Sequence, residues 1–444
     1  MTSDPTEIVT LDSGGGGRLY DQLDELRAAG PAVLVKLLDG VATWSVIRGD
    51  IAKELLVHPH IFKDPRKSWA GYRPGAVPWL YPFVDVINLA TSNGDDHTRL
   101  KQLIGKAFTA RRIEAMRPGI EAVVADLLEA LERRGATERV DLRTEFAQGV
   151  PTRVVCDLFG FPADQRPEVL RVMGYVFARD VTPQESEILA QDLHRAMRTL
   201  IEAKRLMPGD DMTSLLLTAH EEDGDRLSEA ELVSTLILMI GAGGETTVAL
   251  IGAAVRELLS HPGQLAKVRA EPAHWTDVIE EALRVHAPVM YMPLRYATAD
   301  IDLGDGVVIR AGDAVIIGFG GHGRDPEIHA DPASFQIDRA DKQHLAFGYG
   351  THYCLGAPLA RLEAQVALPA LFDRFPQLAL SVAPDQLEPQ HSFIGNDVVE
   401  LPVTLGPAAS PSEPAGPRAG GGRTPVSRGA DPLAAAPPAV LQDR

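Results

Sequence analysis

The stretch HLAFGYGTHYCLGAPLAR, His344 to Arg361, holds Cys354, one of only two cysteines in 444 residues. Gly348, Gly350 and Gly356 crowd around it, Phe347 stands seven residues upstream, and CLGAPLARLEAQVALPALF, which follows, has helical period. The spacing predicts that Cys354 stands at a helix N-terminus, where unpaired backbone N–H groups and the positive dipole end would favour a thiolate. No second cysteine lies near enough for a structural zinc site. A cysteine nucleophile would want a positioned histidine, and although His352 is two residues away, the flanking glycines suit no nucleophile elbow. The commonest fate of a free cysteine, a small buried apolar residue, fits Cys156 in VVCDLFGFP better.

Glycines before Cys354 let backbone approach something flat and large, and a thiolate held by backbone donors is what heme iron needs as axial ligand when O–O cleavage is the task. FGYGTHYCLG resembles the heme-binding loop of the cytochrome P450 family, Phe-Gly-x-Gly-x-x-x-Cys-x-Gly. Its fixed positions here are Phe347, Gly348, Gly350, Cys354 and Gly356. With three further signatures in the right order, the resemblance runs from about residue 30 to about 405. It implies a mainly α protein with small β-sheets, the triangular, helix-rich single domain of the P450 fold, with a long central helix over heme b.

AGGETT, Ala242 to Thr247, resembles the family's oxygen-activation motif. Two glycines inside a helix cost roughly 1 kcal/mol each against alanine. By resemblance, Ala242 and Gly243 give the helix close approach to the heme and a local opening. Reduction of dioxygen needs protons, and an acid beside an alcohol supplies a relay, so Glu245 and Thr246 are the catalytic candidates. The plainer reading of Glu245 is a buried acid paired with an arginine that reaches the surface. In EEALR, Glu281 and Arg284 share a helical face, and with Arg339 they match the family's buried Glu–Arg–Arg arrangement, a structural lock. Two heme propionates call for cations. The family positions are His97, Arg295 and His352, with Lys101 where arginine is common. Tyr349 stands where bacterial members usually carry histidine.

Outward from these motifs, the chain reads as an ordinary globular protein, 45% hydrophobic and 23% charged. A net charge of -18 argues against a nucleic-acid partner, and so few cysteines fit a reducing compartment. The N-terminus has no signal or transit pattern. LVSTLILMIGAGGETTVALIGAAV, Leu232 to Val255, imitates a membrane span, but Glu245 inside it would cost about 2.5–3.5 kcal/mol on insertion scales. It reads as a buried core helix, and the protein as cytoplasmic with no membrane partner. Residues 1–17 are expected to be a flexible segment, 18–406 the heme-thiolate domain, and 407–444 a disordered Pro/Ala/Gly-rich tail.

Strand patterns cluster in AVLVKLL and ATWSVI, a hairpin around Asp39-Gly40, in DIDLGDGVVIRAGDAVIIG, and between Leu378 and Leu405. Helical period marks RIEAMRPGIEAVVADLLEALERRG and EILAQDLHRAMRTLIEAKRL. Ser228 with Glu231 forms a capping box, and the helix in HWTDVIEEALRVHAP stops before Pro288.

The resemblance implies a monooxygenase that takes dioxygen and two NAD(P)H-derived electrons through a separate ferredoxin and ferredoxin reductase. Lys101, Arg111, Arg112 and Arg361 are candidates for the docking patch. Trp69, Tyr72, Trp79, Tyr81 and Phe83 suggest an apolar lid, or a loop packed onto the body by its own aromatics. Tyr291, Met292, Phe393 and Ile394 sit in turns that the family points at substrate. The expected substrate is an apolar macrolide, steroid or polycyclic aromatic natural product. Alternatives are oxidative C–C or C–N coupling without oxygen transfer, and a heme sensor, for which a proton relay would be superfluous.

Overall fold

The computed structural model describes residues 9–11, 15–106, 108–169, 183–222 and 227–409. Its axis is one helix, Glu229–Ser260, started by the capping box: Glu231 N–H donates to Ser228 Oγ at 3.2 Å and Ser228 N–H to Glu231 Oε2 at 2.7 Å. Helices Gly149–Leu158, Pro183–Leu206, Trp275–Val285 and Ala357–Arg374 pack around it. A helix apolar on nearly all sides needs such a jacket, because each exposed leucine or isoleucine would forfeit about 1.5–3 kcal/mol. It is long and apolar enough to cross a membrane, yet it is the core helix here.

RIEAMRPGIEAVVADLLEALERRG is not one helix. It divides into Ala110–Ala115, capped by Thr109, and Arg117–Glu132, which begins with Pro118 in its first turn. Proline is tolerated there because its missing N–H would be unpaired anyway. The second piece buries Ile120, Val123, Val124, Leu127, Leu128 and Leu131, the i, i+3, i+4 stripe of an amphipathic helix.

The strands, in chain order, are β1 Val9–Thr10, β2 Val33–Lys36, β3 Ala42–Val46, β4 Ile61–Phe62, β5 Arg139–Asp141, β6 Tyr291–Ala297, β7 Ile301–Asp302, β8 Val308–Ile309, β9 Ala314–Gly318, β10 Ala379–Leu380 and β11 Pro402–Thr404. The expected hairpin is β2 and β3, antiparallel with Val33 opposite Ser45, and Gly40 takes the turn with φ 75°. The main sheet has the order β1-β2-β3-β9-β6-β4, and β10-β11-β5 forms a second.

Both expected boundaries shift. Val9 and Thr10 pair in parallel with Val35 and Lys36, Leu11 is 1% exposed, and a helix starts at Gly16. Those residues belong to the body, not to a flexible segment. At the other end Ala409 N–H donates to Arg374 O at 2.8 Å, carrying ordered chain past residue 406. The rest of the proposed N-terminal segment and the tail from residue 410 lie outside the described residues.

Candidate active site

The cysteine loop is a tight crossing held by its own backbone. Gly348 N–H donates to Leu345 O at 2.8 Å, Tyr353 N–H to Gly350 O at 3.1 Å, and Cys354 N–H to Phe347 O at 2.9 Å. Gly348 and Gly350 take φ of 71° and 70°, which side-chain-bearing residues rarely adopt. At Gly350 a Cβ would also lie 2.4 Å from Val57 Cγ1. The helix begins three residues after the cysteine, at Ala357, not at Cys354 itself. The backbone N–H groups of Gly356 and Ala357 nevertheless lower the thiol's proton affinity, and Ala357 N–H donates to Cys354 O at 3.4 Å. Burial pushes the thiol up, while those donors and Arg361 pull it down without outweighing burial, so the expected preformed thiolate does not follow from the helix end alone.

Around the loop stands a group of basic side chains with no acidic partner among the described residues. His97 is 2% exposed, and its ring lies 4.2 Å from that of His352, centroid to centroid. His97 Nδ1, His352 Nε2 and Arg295 Nη1 are buried without a hydrogen-bond partner. Burial lowers His97, brings His352 down to about 2 with the His97, Arg295, Lys63 and Lys101 charges adding to it, and brings Arg295 down to about 10. Lys101 Nζ donates to Thr351 O at 2.5 Å, tying its helix to the cysteine loop. Unpaired buried donors of one sign are costly. The arrangement fits a group bearing carboxylates, set against the Cys354 sulfur.

The loop is braced by the buried Glu281. Arg284 Nε and Nη2 grip its two oxygens at 2.7 Å each, both side chains are fully buried, and Arg339 Nε reaches Oε1 at 3.1 Å. Arg284 also donates to Pro332 O and Ser334 O at 2.8 Å. One helix residue thereby fixes the meander that leads into the loop. Arg361 pairs with Glu280 at 2.6 and 2.9 Å and lies over the Phe347 ring at 4.5 Å. It is therefore committed to bracing, which removes it from the expected docking patch.

The central helix runs unbroken through Ala242–Thr247, so the expected local opening is absent from the described backbone. Ala242 is exposed, and Gly243, Glu245 and Thr246 are half-buried, within an otherwise buried element. Thr246 Oγ1 donates to Ala242 O at 2.7 Å. Glu245 pairs with Arg143 at 2.5 Å, and Arg143 Nε donates to Asp397 at 2.8 Å. The plain reading of Glu245 holds for the pairing with arginine only: the acid is half-buried and Arg143, instead of reaching the surface, is buried. Arg143 and Asp397 were not found from the sequence, because they stand 102 and 152 positions away from Glu245.

The sequence profile of the cytochrome P450 family matches residues 190–396. A 2-hydroxy-5-methyl-1-naphthoate 7-hydroxylase of Streptomyces carzinostaticus is 42% identical over 394 residues, spanning 88% of this chain and 96% of the relative. The chain belongs to the cytochrome P450 family. A 6-deoxyerythronolide B hydroxylase of Saccharopolyspora erythraea is 36% identical over 87% of this chain and 96% of its own length. The solved CYP154A1 from Streptomyces coelicolor A3(2) has a TM-score of 0.83 at 42% identity, covering 89% of this chain and 100% of that one. The protein is a cytochrome P450 monooxygenase that uses heme iron and dioxygen on a small-molecule substrate and draws on a redox partner. Oxygen insertion, not coupling, is the activity favoured by these hydroxylase relatives.

In this P450 the aromatic segment is packed onto the body. Trp69 stacks on Tyr296 at 5.3 Å, Tyr72 Oη donates to Asp85 at 2.7 Å, and Trp79 meets Phe393 edge-on at 5.6 Å. The side chain of Tyr81 lies outside what is described. Tyr291 and Phe393 are 0% and 2% exposed, inside the sheet core, whereas Met292 and Ile394 are half-buried. Of the four expected pocket residues, only these last two have surface to offer a substrate. A groove of about 280 Å³ lined by Phe108, Met116, Val154 and Leu158 includes none of the expected site residues.

Proposed function

We propose that this enzyme hydroxylates an apolar natural-product skeleton, polycyclic aromatic, steroid or macrolide, with Cys354 as axial ligand of heme b. The observation that supports the site assignment is the joint placement of Cys354 in its backbone-held loop and the unpartnered His97, Arg295 and His352 nitrogens. Those three, with Lys101 at the loop, would hold the propionates, while Phe347, Gly348 and Gly356 shape the sulfur's side. A bound heme would supply dioxygen activation, in which two electrons and two protons leave one oxygen atom in the substrate and the other in water.

The protein's own part is protons and position. Thr246 uses its hydroxyl proton on Ala242 O, leaving its oxygen free to accept a bond from the exposed strip beside Ala242 and Gly243. Arg143 anchors Glu245 next to it, and the Glu245 carboxylate, once turned away from Arg143, can take a proton from solvent water and pass it to that hydroxyl. The lock of Glu281, Arg284 and Arg339 maintains the loop. Met292 and Ile394 are the pocket residues retained, and Tyr291 and Phe393 act behind them as packing. Natural-product substrates are favoured because the relatives are named for a naphthoate and for 6-deoxyerythronolide B.

Electrons are assigned to an acidic ferredoxin with its NAD(P)H-dependent reductase, in a reducing cytoplasm that suits two cysteines outside any disulfide. Helix Ala110–Ala115 packs on the helix that follows Cys354 and exposes Arg111 and Arg112. Arg112 is shared with Asp210 at 3.3 Å, so Arg111 is the stronger docking contact. The catalytic unit is taken as residues 18–406 together with the flanking ordered chain.

The test is the carbon monoxide difference spectrum of the dithionite-reduced protein beside Cys354→Ala. A strongly red-shifted Soret band, lost in the variant, is expected. A histidine-type band in the wild type, or a red-shifted band that survives in the variant, overturns the assignment. Spin-state titration with 2-hydroxy-5-methyl-1-naphthoate and 6-deoxyerythronolide B then separates the substrate classes.

A further inference from the structure

A second lysine stands beside the cation group, and no family motif pointed to it. β4 pairs antiparallel with β6, Ile61 opposite Ala297 and Phe62 opposite Tyr296. Lys63 follows directly after β4, close enough to Arg295 for the two charges to act on each other. Both are buried, at 5% and 4% exposure. Lys63 Nζ donates to Pro293 O at 3.1 Å and has no acidic partner among the described residues. The neighbouring Asp64 is spent on Arg66, at 2.7 and 2.8 Å.

The position is built. Asn93 Oδ1 accepts the backbone N–H of both Lys63 and Asp64, which fixes the strand end against the start of helix Gly94–Gly105. That helix carries His97 and Lys101. Two cations buried close together repel, and burial alone makes an unpaired ammonium costly. The Arg295 charge together with desolvation lowers the proton affinity of Lys63 in the same sense. Such a pair becomes favourable only with an anion between its members.

We propose that Lys63 is a further cofactor-positioning residue, its Nζ pairing, alongside Arg295, with a carboxylate at the heme periphery. The inference rests on the heme reading given above. A substrate carboxylate has the same chemistry, but the shared cluster of Lys63, Arg295, His97 and His352 favours the cofactor as the source. Lys63 therefore adds a compact charge to one carboxylate without contacting the iron side of the loop.

The experiment measures heme release from the holoenzyme into excess apomyoglobin, for wild type, Lys63→Met and Lys63→Arg. Each protein is also reconstituted with heme dimethyl ester. Losing one charge-assisted contact should speed release of ordinary heme by ~10–100-fold in Lys63→Met. Lys63→Arg should change it less, and the ester should leave all three proteins alike. The apoprotein of Lys63→Met should melt no lower than wild type, since the variant removes a buried repulsion. Equal release of ordinary heme, or the same acceleration with the ester, overturns the proposal. Unchanged heme release with weakened binding of the naphthoate acid overturns it in favour of a substrate carboxylate. A wild type that takes up no heme would overturn the heme reading and this inference with it; normal uptake with indifferent Lys63 variants overturns this inference alone.

Discussion

Replacing Glu281 by glutamine should loosen the cysteine loop from a distance. Glu281 and Arg284 are both fully buried, and the carboxylate accepts from Arg284 twice, from Arg339 at 3.1 Å and from Gln336 N–H at 2.9 Å. Breaking a buried pair by removing one charge costs about 3–5 kcal/mol. Arg284 keeps the carbonyls of Gly323, Pro332 and Ser334, and Arg339 those of Ala330 and Asp331, which favours the lower end of that range. For a domain of about 400 residues the unfolding entropy is roughly 0.8 kcal/mol/K, so a loss of ~3 kcal/mol lowers Tm by ~4 K. Thermal unfolding by circular dichroism reads this directly, with heme content per protein as the second measurement. Glu114→Gln, which breaks an exposed i, i+3 pair with Arg117, is the control and should leave Tm in place. If Glu281→Gln melted within 1 K of wild type (well under the ~4 K expected) and incorporated heme fully, the lock would not be what holds the loop.

Glu245→Gln should lower product formation ~100-fold or more while oxygen uptake continues, because only proton delivery is removed; unchanged coupling of oxygen to product would exclude the relay. Stability should fall as pH drops from about 6.5 toward 4. His286, bonded to Tyr20 Oη and Glu257 at 2.9 and 2.7 Å, is held down to about 4, chiefly by burial. A histidine depressed in the folded state leaves stability intact above its unfolded value and loses it as the unfolded chain takes up the proton first. Denaturant midpoints across that window should fall for the wild type and fall less for His286→Gln, with His322, also near 4, supplying part of the remainder. Identical slopes would remove His286 from the account. Arg111→Glu should slow ferredoxin-driven reduction at low salt, with the difference shrinking at high salt; rates equal to wild type at low salt would place the docking face elsewhere.

The legible parts of this protein were those written in short, fixed spacings. The crowded FGYGTHYCLG bend, the Ser228–Glu231 cap, the β2–β3 hairpin and the Glu281–Arg284 pair all join residues within a few positions of one another. Backbone geometry at such range depends little on the rest of the chain. The break at Pro118 was also available locally, since proline in a first helical turn marks a start, but a continuous apolar stripe obscured it.

The sequence by itself determined the family and the central buried helix and singled out Cys354 as the proposed heme ligand, because a glycine-constrained cysteine and an unbroken apolar run each carry their physical meaning locally. Tertiary structure alone decided which groups meet: Arg143 between Glu245 and Asp397, Val9–Thr10 beside β2, Tyr291 turned into the core, and Lys63 on the Pro293 carbonyl. Those partners lie tens to hundreds of positions apart. Packing of helices and sheet selects them, and a charge in a sequence does not say whether it will be solvated or buried.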